Sequence, residues 1–340
     1  MKTSEQPVIR PKSFTPIKSI ATPSRSLQRK LIPREKIGEG RYAEIFLCNN
    51  GEVPYVSKEP LLKFGAHNGI SQHNNFARNF LENEISILLA IQKTSGKHPN
   101  LIWMIDYRVS NDFRYIHFSY DEGTQDLCSL LLSSTDHIEM SFKFSVMMQL
   151  SSALCFLYEK QIAHRDIKPE NILLAKKNVN DCMSVAVKLC DFGFAHSWEK
   201  SHRFARQLGT LSYQSYEQVV FAKAGELSDV WSLGAVYFSI LTQKMLIDSV
   251  DPDLVPPVDC PDELYPWTKQ FLWLQYYDKV LYSDSAAERR SVNELLMRRE
   301  VSGFAALLKG MLDKDTRTRF TPREVNNVLK SKARDGFSPT

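Results

Sequence analysis

In "IGEGRYAEIF", Gly38 and Gly40 stand one residue apart, and Ala43 occupies the place where a phosphate-cradling loop usually carries a third glycine. Glycines at that spacing let backbone N–H groups approach phosphate oxygens with no side chain in the way. The stretch by itself fits two arrangements: a dinucleotide-binding turn that opens a helix, or a loop folded between two strands over a nucleoside triphosphate. Further along lie "VSK" (56 to 58), "ENEISIL" (82 to 88), "HRDIKPEN" (164 to 171), "DFG" (191 to 193), "GTLSYQSYE" (209 to 217) and "SDVWSLG" (228 to 234). These supply lysines, carboxylates and an amide. Such residue types can neutralise phosphate charge, ligate a hard divalent cation and sit beside a hydroxyl.

Groups so far apart in sequence need a scaffold to bring them together. From Pro33 onward "YAEIFLC", "VPYVSK", "NLIWMIDYRV" and "FRYIHFSY" read as strands of a twisted antiparallel sheet. One helix interrupts them: "FARNFLENEISILLAIQK" (76 to 93) sets Phe80, Ile85, Leu88 and Leu89 at the three- and four-residue spacings of a core-facing stripe. After Gly123 the pattern turns helical, most clearly in "SFKFSVMMQLSSALCFLYEK", "SDVWSLGAVYFSILTQ" and "VSGFAALLKGMLDKD". A small strand-rich lobe over 33–118 is therefore expected to join a larger helical lobe over 122–330 through a connector at 119–121, with a short tail at 331–340. Residues 1–32 stand apart, rich in Ser, Thr, Pro, Lys and Arg and without an apolar period. Such a segment buries too little surface to offset its ordering entropy and is expected to be disordered. Within it Thr15 and Thr22 each precede a proline. They fit a plain extended tail or a target of proline-directed kinases.

The 340 residues, 43% hydrophobic and 24% charged, are enough for one large two-lobed domain. A net charge of +4 gives no reason to expect a nucleic-acid or membrane partner. Six cysteines with no C-x-x-C pair argue against a zinc site or a disulfide framework. Reduced thiols of a cytoplasmic or nuclear protein are expected. The apolar run Trp231 to Leu241 falls short of the ~20 residues that span a bilayer, and "MKTSEQPVIR" lacks a secretory core.

Taken in order, the quoted landmarks resemble those of eukaryotic protein kinases of the serine/threonine type, from Arg34 to about Leu329. The resemblance implies an α+β, two-lobed fold with an antiparallel N-lobe sheet and one helix above a mainly helical C-lobe. It implies ATP and Mg2+, and transfer of the γ-phosphoryl group to Ser/Thr hydroxyls of protein substrates. The glycine loop lies between two strand-like segments ahead of Lys58, which favours the triphosphate arrangement. Ile37, Gly38, Gly40 and Ala43 are then the loop, Ile45 the roof over the adenine, and Lys58 the cation on the phosphates. Glu84 matches the glutamate that aims Lys58. Glu82, two residues away on another face, reads as a solvated carboxylate. Asp166 matches the aspartate that orients the substrate hydroxyl and accepts its proton, Lys168 the lysine that meets the transferring phosphate, and Asn171 and Asp191 the magnesium ligands. Phe118 is aligned with the guard of the back of the pocket, Ser119 and Asp121 with backbone contacts to adenine, and Asp126 with the ribose. Val56, Leu173 and Cys190 are expected to line the pocket. His164 reads as a packed core histidine.

Two departures from the family pattern stand out. Ser215, Tyr216 and Glu217 replace the usual A-P-E, with Glu217 retained and expected to pair with Arg319. Arg206 falls where many such kinases carry an activating phosphate; it has no hydroxyl, although Arg165, which normally helps to hold that phosphate, is present. Activity is therefore expected without phosphorylation of this loop, whose nearest hydroxyls are Ser197 and Ser201. Thr210 resembles the threonine of the substrate-docking turn, and Asp229 the aspartate that holds the catalytic loop in shape. "GTLSY" and "CPDELYPW" are similar to DNA-damage checkpoint kinases of the calcium/calmodulin-kinase-like group, which would mean cell-cycle signalling. A divergent or unclassified serine/threonine kinase fits equally. A catalytically weak pseudokinase that binds nucleotide as a scaffold is the alternative from another class. Trp267, Phe271, Trp273 and Tyr276 fit core packing or a partner-docking surface.

Overall fold

A computed structural model describes residues 33–49, 51–63, 70–95, 97–110, 114–134, 138–179, 182–198, 210–221, 224–246 and 302–335. Thr15, Thr22, Ser201, Arg206 and the aromatic residues Trp267, Phe271, Trp273 and Tyr276 lie outside the described residues. The N-lobe is a five-stranded antiparallel sheet built from β1 (Arg34–Glu39), β2 (Ala43–Cys48), β3 (Tyr55–Pro60), β4 (Met104–Val109) and β5 (Arg114–Ser119), in the order β1-β2-β3-β5-β4. Register decides what faces inward: Ile45 pairs with Lys58, Lys58 with Ile116, and Val56 with Phe118. Paired residues share a face, so Lys58 stands in an otherwise apolar row of the sheet.

The helix α1 (Ile70–Ser95) packs on that face and starts six residues earlier than the apolar period suggested. Its buried positions Ala77, Phe80, Leu81, Glu84, Ile85, Leu88 and Ile91 repeat at three and four. Glu84, fully buried, is the charged member of that stripe. A carboxylate in such a place has to be paired, because isolated burial of its charge is prohibitively costly.

The C-lobe centres on α2 (Leu127–Ser133), α3 (Met140–Glu159), α4 (Tyr216–Phe221), α5 (Ser228–Thr242), α6 (Ala305–Met311) and α7 (Pro322–Arg334). The core of this lobe is α5, every residue of which from Ser228 to Leu241 is buried. Gly234 lets α6 approach it: a Cβ there would come within 3.0–3.1 Å of Met311 and Leu312. Lys143 of α3, itself buried, donates from Nζ to Leu241 O at 3.0 Å and so closes the C-terminal end of α5. By length and composition α3 could cross a membrane; here it packs against α5 and α7. Thr321 and Glu324 form a capping box, with Pro322 at the first helical position, which starts α7. That helix runs to Arg334, four residues past the expected end of the domain.

The C-lobe is mainly helical, as expected, and also carries two small sheets that the sequence pattern did not indicate. Strands β6 (Gln125–Asp126), β8 (Ile172–Val179) and β9 (Cys182–Leu189) form a three-stranded sheet, and β7 (Ile162–Ala163) pairs with β10 (His196–Ser197). Short apolar runs such as "ILLAKKNV" and "CMSVAVKL" carry no decisive period, so pairing between them settles the outcome. The consequence is functional. Ile172 opposite Leu189 sets Asn171 and Cys190 side by side at the open end of the hairpin, with Cys190 N–H bonded to Asn171 O at 3.0 Å.

Candidate active site

Between the lobes lies a cleft of about 880 Å³. Its walls include Ile37, Gly38, Gly40, Ala43 and Ile45 from the loop region, Val56 and Lys58 of β3, and Glu84 of α1. β5 supplies Phe118, the connector Ser119 and Asp121, and the C-lobe Asp126, Asp166, Lys168, Asn171, Leu173, Cys190, Asp191 and Thr210. The glycine loop is a tight turn between β1 and β2, closed by Gly40 N–H to Ala43 O at 2.8 Å and tied to the end of β3 by Leu61 N–H to Tyr42 O at 2.9 Å. No helix follows it, so the dinucleotide arrangement is excluded.

Lys58 is buried and donates from Nζ to Glu84 Oε2 at 2.6 Å and to Asp191 Oδ1 at 2.8 Å. Burial by itself would pull its pKa down, but the charges of Asp191 and Glu84 hold it above the ordinary lysine value. Burial likewise raises Asp191, and Lys58 outweighs it, leaving that carboxyl below the usual range. Burial pushes Glu84 up, against Lys58 and the Phe192 N–H that reaches Glu84 Oε1 at 3.1 Å. Glu82 keeps its side chain 39% exposed, as expected of a surface carboxylate, and there accepts on Oε1 from Arg114 Nε of β5 at 2.5 Å. It lies off the buried stripe, so of the two helix glutamates it is Glu84 that pairs with Lys58.

On the C-lobe side Asp166 accepts on Oδ1 from Thr210 N–H at 2.8 Å and Thr210 Oγ1 at 3.1 Å, and on Oδ2 from Asn171 Nδ2 at 3.0 Å. Lys168 Nζ reaches Thr210 Oγ1 at 2.7 Å and Asp166 Oδ2 at 3.5 Å. Because the amide nitrogen of Asn171 is committed to Asp166, its oxygen is the end left to meet a cation. Asn171 and Asp191 thus give one amide oxygen and one carboxylate. That is a donor set suited to magnesium, which takes one or two protein ligands and completes its shell with water and phosphate. No cluster of three or more His, Cys, Asp or Glu that would suit a more tightly held metal occurs among the described residues.

The backbone carrying these groups is strained where it matters: Arg165 has φ 69° and Asp191 φ 65°. Non-glycine residues in this region cost roughly 1–3 kcal/mol each and persist only where neighbours hold them. Asp229 holds the first, accepting His164 N–H at 2.6 Å and Arg165 N–H at 2.8 Å; burial, the larger influence, raises its pKa. His164 is fully buried, edge-on to Phe192 at 4.8 Å, with Nε2 3.0 Å from Cys190 O and Nδ1 3.3 Å from Asp166 N. A carbonyl can only accept and an N–H can only donate, so the proton sits on Nε2 and the ring is a structural strut. Cys190 is a wall, not a nucleophile: burial pushes its thiol far above the ordinary value.

Other positions carry a second engagement. Asp126 caps α2, accepting Ser129 N–H at 2.8 Å and Ser129 Oγ at 2.6 Å, so a ribose would share it. Asp121 pairs with Lys188 at 2.6 Å, and its carbonyl takes Thr124 N–H at 3.2 Å. Glu217 and Arg319 meet outside the cleft, at 2.7 and 2.8 Å through both guanidinium NH groups. Ser197 is held in β10 opposite Ile162. Phe80, Phe194, Tyr42, Glu170 and Lys188 also line the cleft and were not singled out from sequence. Phe80 belonged to the helix stripe, and only packing shows that this position faces the site.

Compared with known families, residues 32–329 match the protein kinase domain. Among curated proteins the chain is 29% identical over 315 residues to serine/threonine-protein kinase 36 of Pongo abelii, covering 90% of this chain and 22% of that protein. It is 30% identical over 215 residues to cyclin-dependent kinase-like 4 of Mus musculus, covering 62% of this chain and 56% of that one. With cyclin-dependent kinase 2 of Caenorhabditis elegans the identity is 27% over 227 residues, 66% of this chain and 57% of the relative. The chain therefore spans about a fifth of the first relative and just over half of the other two.

Proposed function

The chain belongs to the protein kinase family, and on that premise we propose that it is an active serine/threonine protein kinase that moves the γ-phosphoryl group of ATP to a protein hydroxyl. The observation that carries the reading is the convergence of Lys58, held between Glu84 and Asp191, with Asp166 and Lys168 in one cleft. Phosphoryl transfer depends on positioning and on neutralising spread charge, and these groups supply both. Lys58 would pair with α/β-phosphate oxygens. Asp166 would orient the acceptor hydroxyl and take its proton, and Lys168, linked to both Asp166 and Thr210, would meet the transferring group. Asn171 and Asp191 would hold magnesium, which when bound supplies cationic neutralisation of the phosphate oxygens. The hydroxyl oxygen forms a bond to phosphorus as the bond to the leaving ADP oxygen breaks.

Purified protein with magnesium and labelled ATP on an array of Ser- and Thr-containing peptides tests this. Wild type labels the array and Asp166→Asn does not; labelling by neither would leave the scaffold reading in its place. A role in cell-cycle signalling and a cytoplasmic or nuclear site of action belong to the same proposal. The cell-cycle part draws support from the cyclin-dependent kinase names of two relatives, and the location from the reduced thiols expected of six cysteines with no C-x-x-C pair. Imaging of the tagged protein through the division cycle checks both. Proline-directed kinases acting on Thr15 and Thr22 complete the proposal, and mass spectrometry finding both residues always unmodified would remove that part.

A further inference from the structure

One turn of α1 touches four consecutive residues of the segment that follows Cys190. Asn83 donates from Nδ2 to Gly193 O at 3.0 Å and to Ala195 O at 2.8 Å. Its neighbour Glu84 accepts the Phe192 N–H. Phe80, three residues before Asn83 and 7% exposed, meets the Phe194 ring edge-on at 4.9 Å. The same ring fills the space where a Cβ on Gly193 would lie, with ring atoms 2.0–2.3 Å from that point, and Lys58 Nζ stands 5.2 Å above its centre. On its other side Phe80 faces Tyr42 of the glycine loop at 5.5 Å, and Tyr42 in turn lies 4.5 Å from Phe76. The loop, the helix and the segment bearing Asp191 are thus fastened at one point.

We infer that Asn83 and Phe80 are positioning residues. Together they form a clasp that holds Asp191 and the glycine loop ready for nucleotide without a phosphorylated side chain in the loop beyond Phe194. The physical logic is geometric. Both amide protons of Asn83 are spent on carbonyls two residues apart, which fixes the direction of the turn after Asp191, whose φ of 65° needs such support. Phe80 leaves no room for a side chain at 193, so the helix and the segment support each other directly at this point. A contact of this kind is selected by whatever ligand needs the assembled state. The site with the clasp already closed pays no population penalty on binding nucleotide.

The kinetic part of the test rests on the proposed phosphoryl-transfer activity; its binding part does not. In the full-length protein Asn83→Leu, near in size and without donors, and Phe80→Leu are compared with wild type. The measurements are the Kd for a fluorescent ATP analogue with magnesium, amide hydrogen exchange over residues 191–197, kcat and KM for ATP, and melting temperature. For Asn83→Leu the loss of two hydrogen bonds predicts a rise of about ten- to hundredfold in both Kd and KM, with kcat at saturating nucleotide kept within about threefold; Phe80→Leu, which also alters the cleft wall, is read by Kd and exchange alone. Exchange over 191–197 accelerates and is restored by saturating nucleotide, while the melting temperature changes little. Phosphatase treatment of wild type leaves KM where it was. Unchanged Kd and exchange in both variants would overturn the inference. So would a loss of kcat that merely tracks the melting temperature, or a large rise in KM on dephosphorylation. Wild type that binds nucleotide but transfers no phosphate defeats the functional reading alone, and the Kd and exchange data still decide the clasp. Wild type that binds no nucleotide defeats both.

Discussion

Lys58–Glu84 in the cleft and Arg319–Glu217 at the start of α4 are both buried cation–carboxylate pairs, at 2.6 and 2.7 Å. Their surroundings differ. Lys58 is a compact ammonium shared between two carboxylates and facing the cleft, where the proposed nucleotide phosphates would join its partners. Arg319 is spent: it grips Glu217 with both NH groups, gives further bonds to Leu227 O at 3.0 Å and Asp313 O at 2.7 Å, and lies 5.2 Å over Trp231. Glu217 also accepts from Ser228 Oγ at 2.8 Å. The same pairing of charges is therefore a movable contact at one place and a staple at the other. The difference comes from the shape of the cation and the number of its fixed partners.

The sharpest way to break that contrast is to remove one member of each side. Asp166→Asn and Lys58→Met are expected to cut phosphate transfer by about 10²–10⁴-fold while leaving a cooperative fold, the buried Glu84 carboxyl taking up a proton once Lys58 no longer opposes the effect of burial, measured by peptide labelling and circular dichroism. Unfolding of Lys58→Met would make the cleft pair a staple after all. Glu217→Ala is expected to cost about 3–5 kcal/mol in urea unfolding, because it strands a buried guanidinium. The double change Glu217→Met with Arg319→Leu should recover much of that loss, since no uncompensated charge remains. A smaller effect follows from pH. Burial raises the Glu217 carboxyl, but Arg319 outweighs it and holds the folded value below the ordinary 4.5. The stabilisation is then complete above the unfolded value and is lost as pH falls through the folded one. The urea midpoint of wild type should therefore drop more steeply below about pH 4.5 than that of Glu217→Gln. The smallest effect is expected for Ser197→Ala, since Ser197 is pinned in β10: transfer by phosphatase-treated protein should match wild type. Protein inactive until Ser197 is modified would contradict this.

Much of the site was legible because its chemistry dictates residue types. Glu84 could be told from Glu82 by its match to the family's glutamate together with helix periodicity, which sets the two on different faces. Arg114 as the partner of Glu82 was not legible, since pairing across 32 residues depends on how β5 lies beside α1. The β8–β9 hairpin escaped for a related reason: its short apolar runs have no period that separates strand from helix, and hydrogen bonding to a distant partner decided the matter. Asn83 and Phe80 read as ordinary helix residues until Gly193 and Ala195 are seen against them.

The order of the chain fixed the family, the two-lobed plan and the identity of the polar groups, because each of those depends on local type and spacing. Only the tertiary structure decided which carboxylate meets which cation, where the strained residues Arg165 and Asp191 find support, and what fastens α1 to the segment after Asp191. Such facts belong to contacts between elements far apart in sequence, and contact energies act on distance in space.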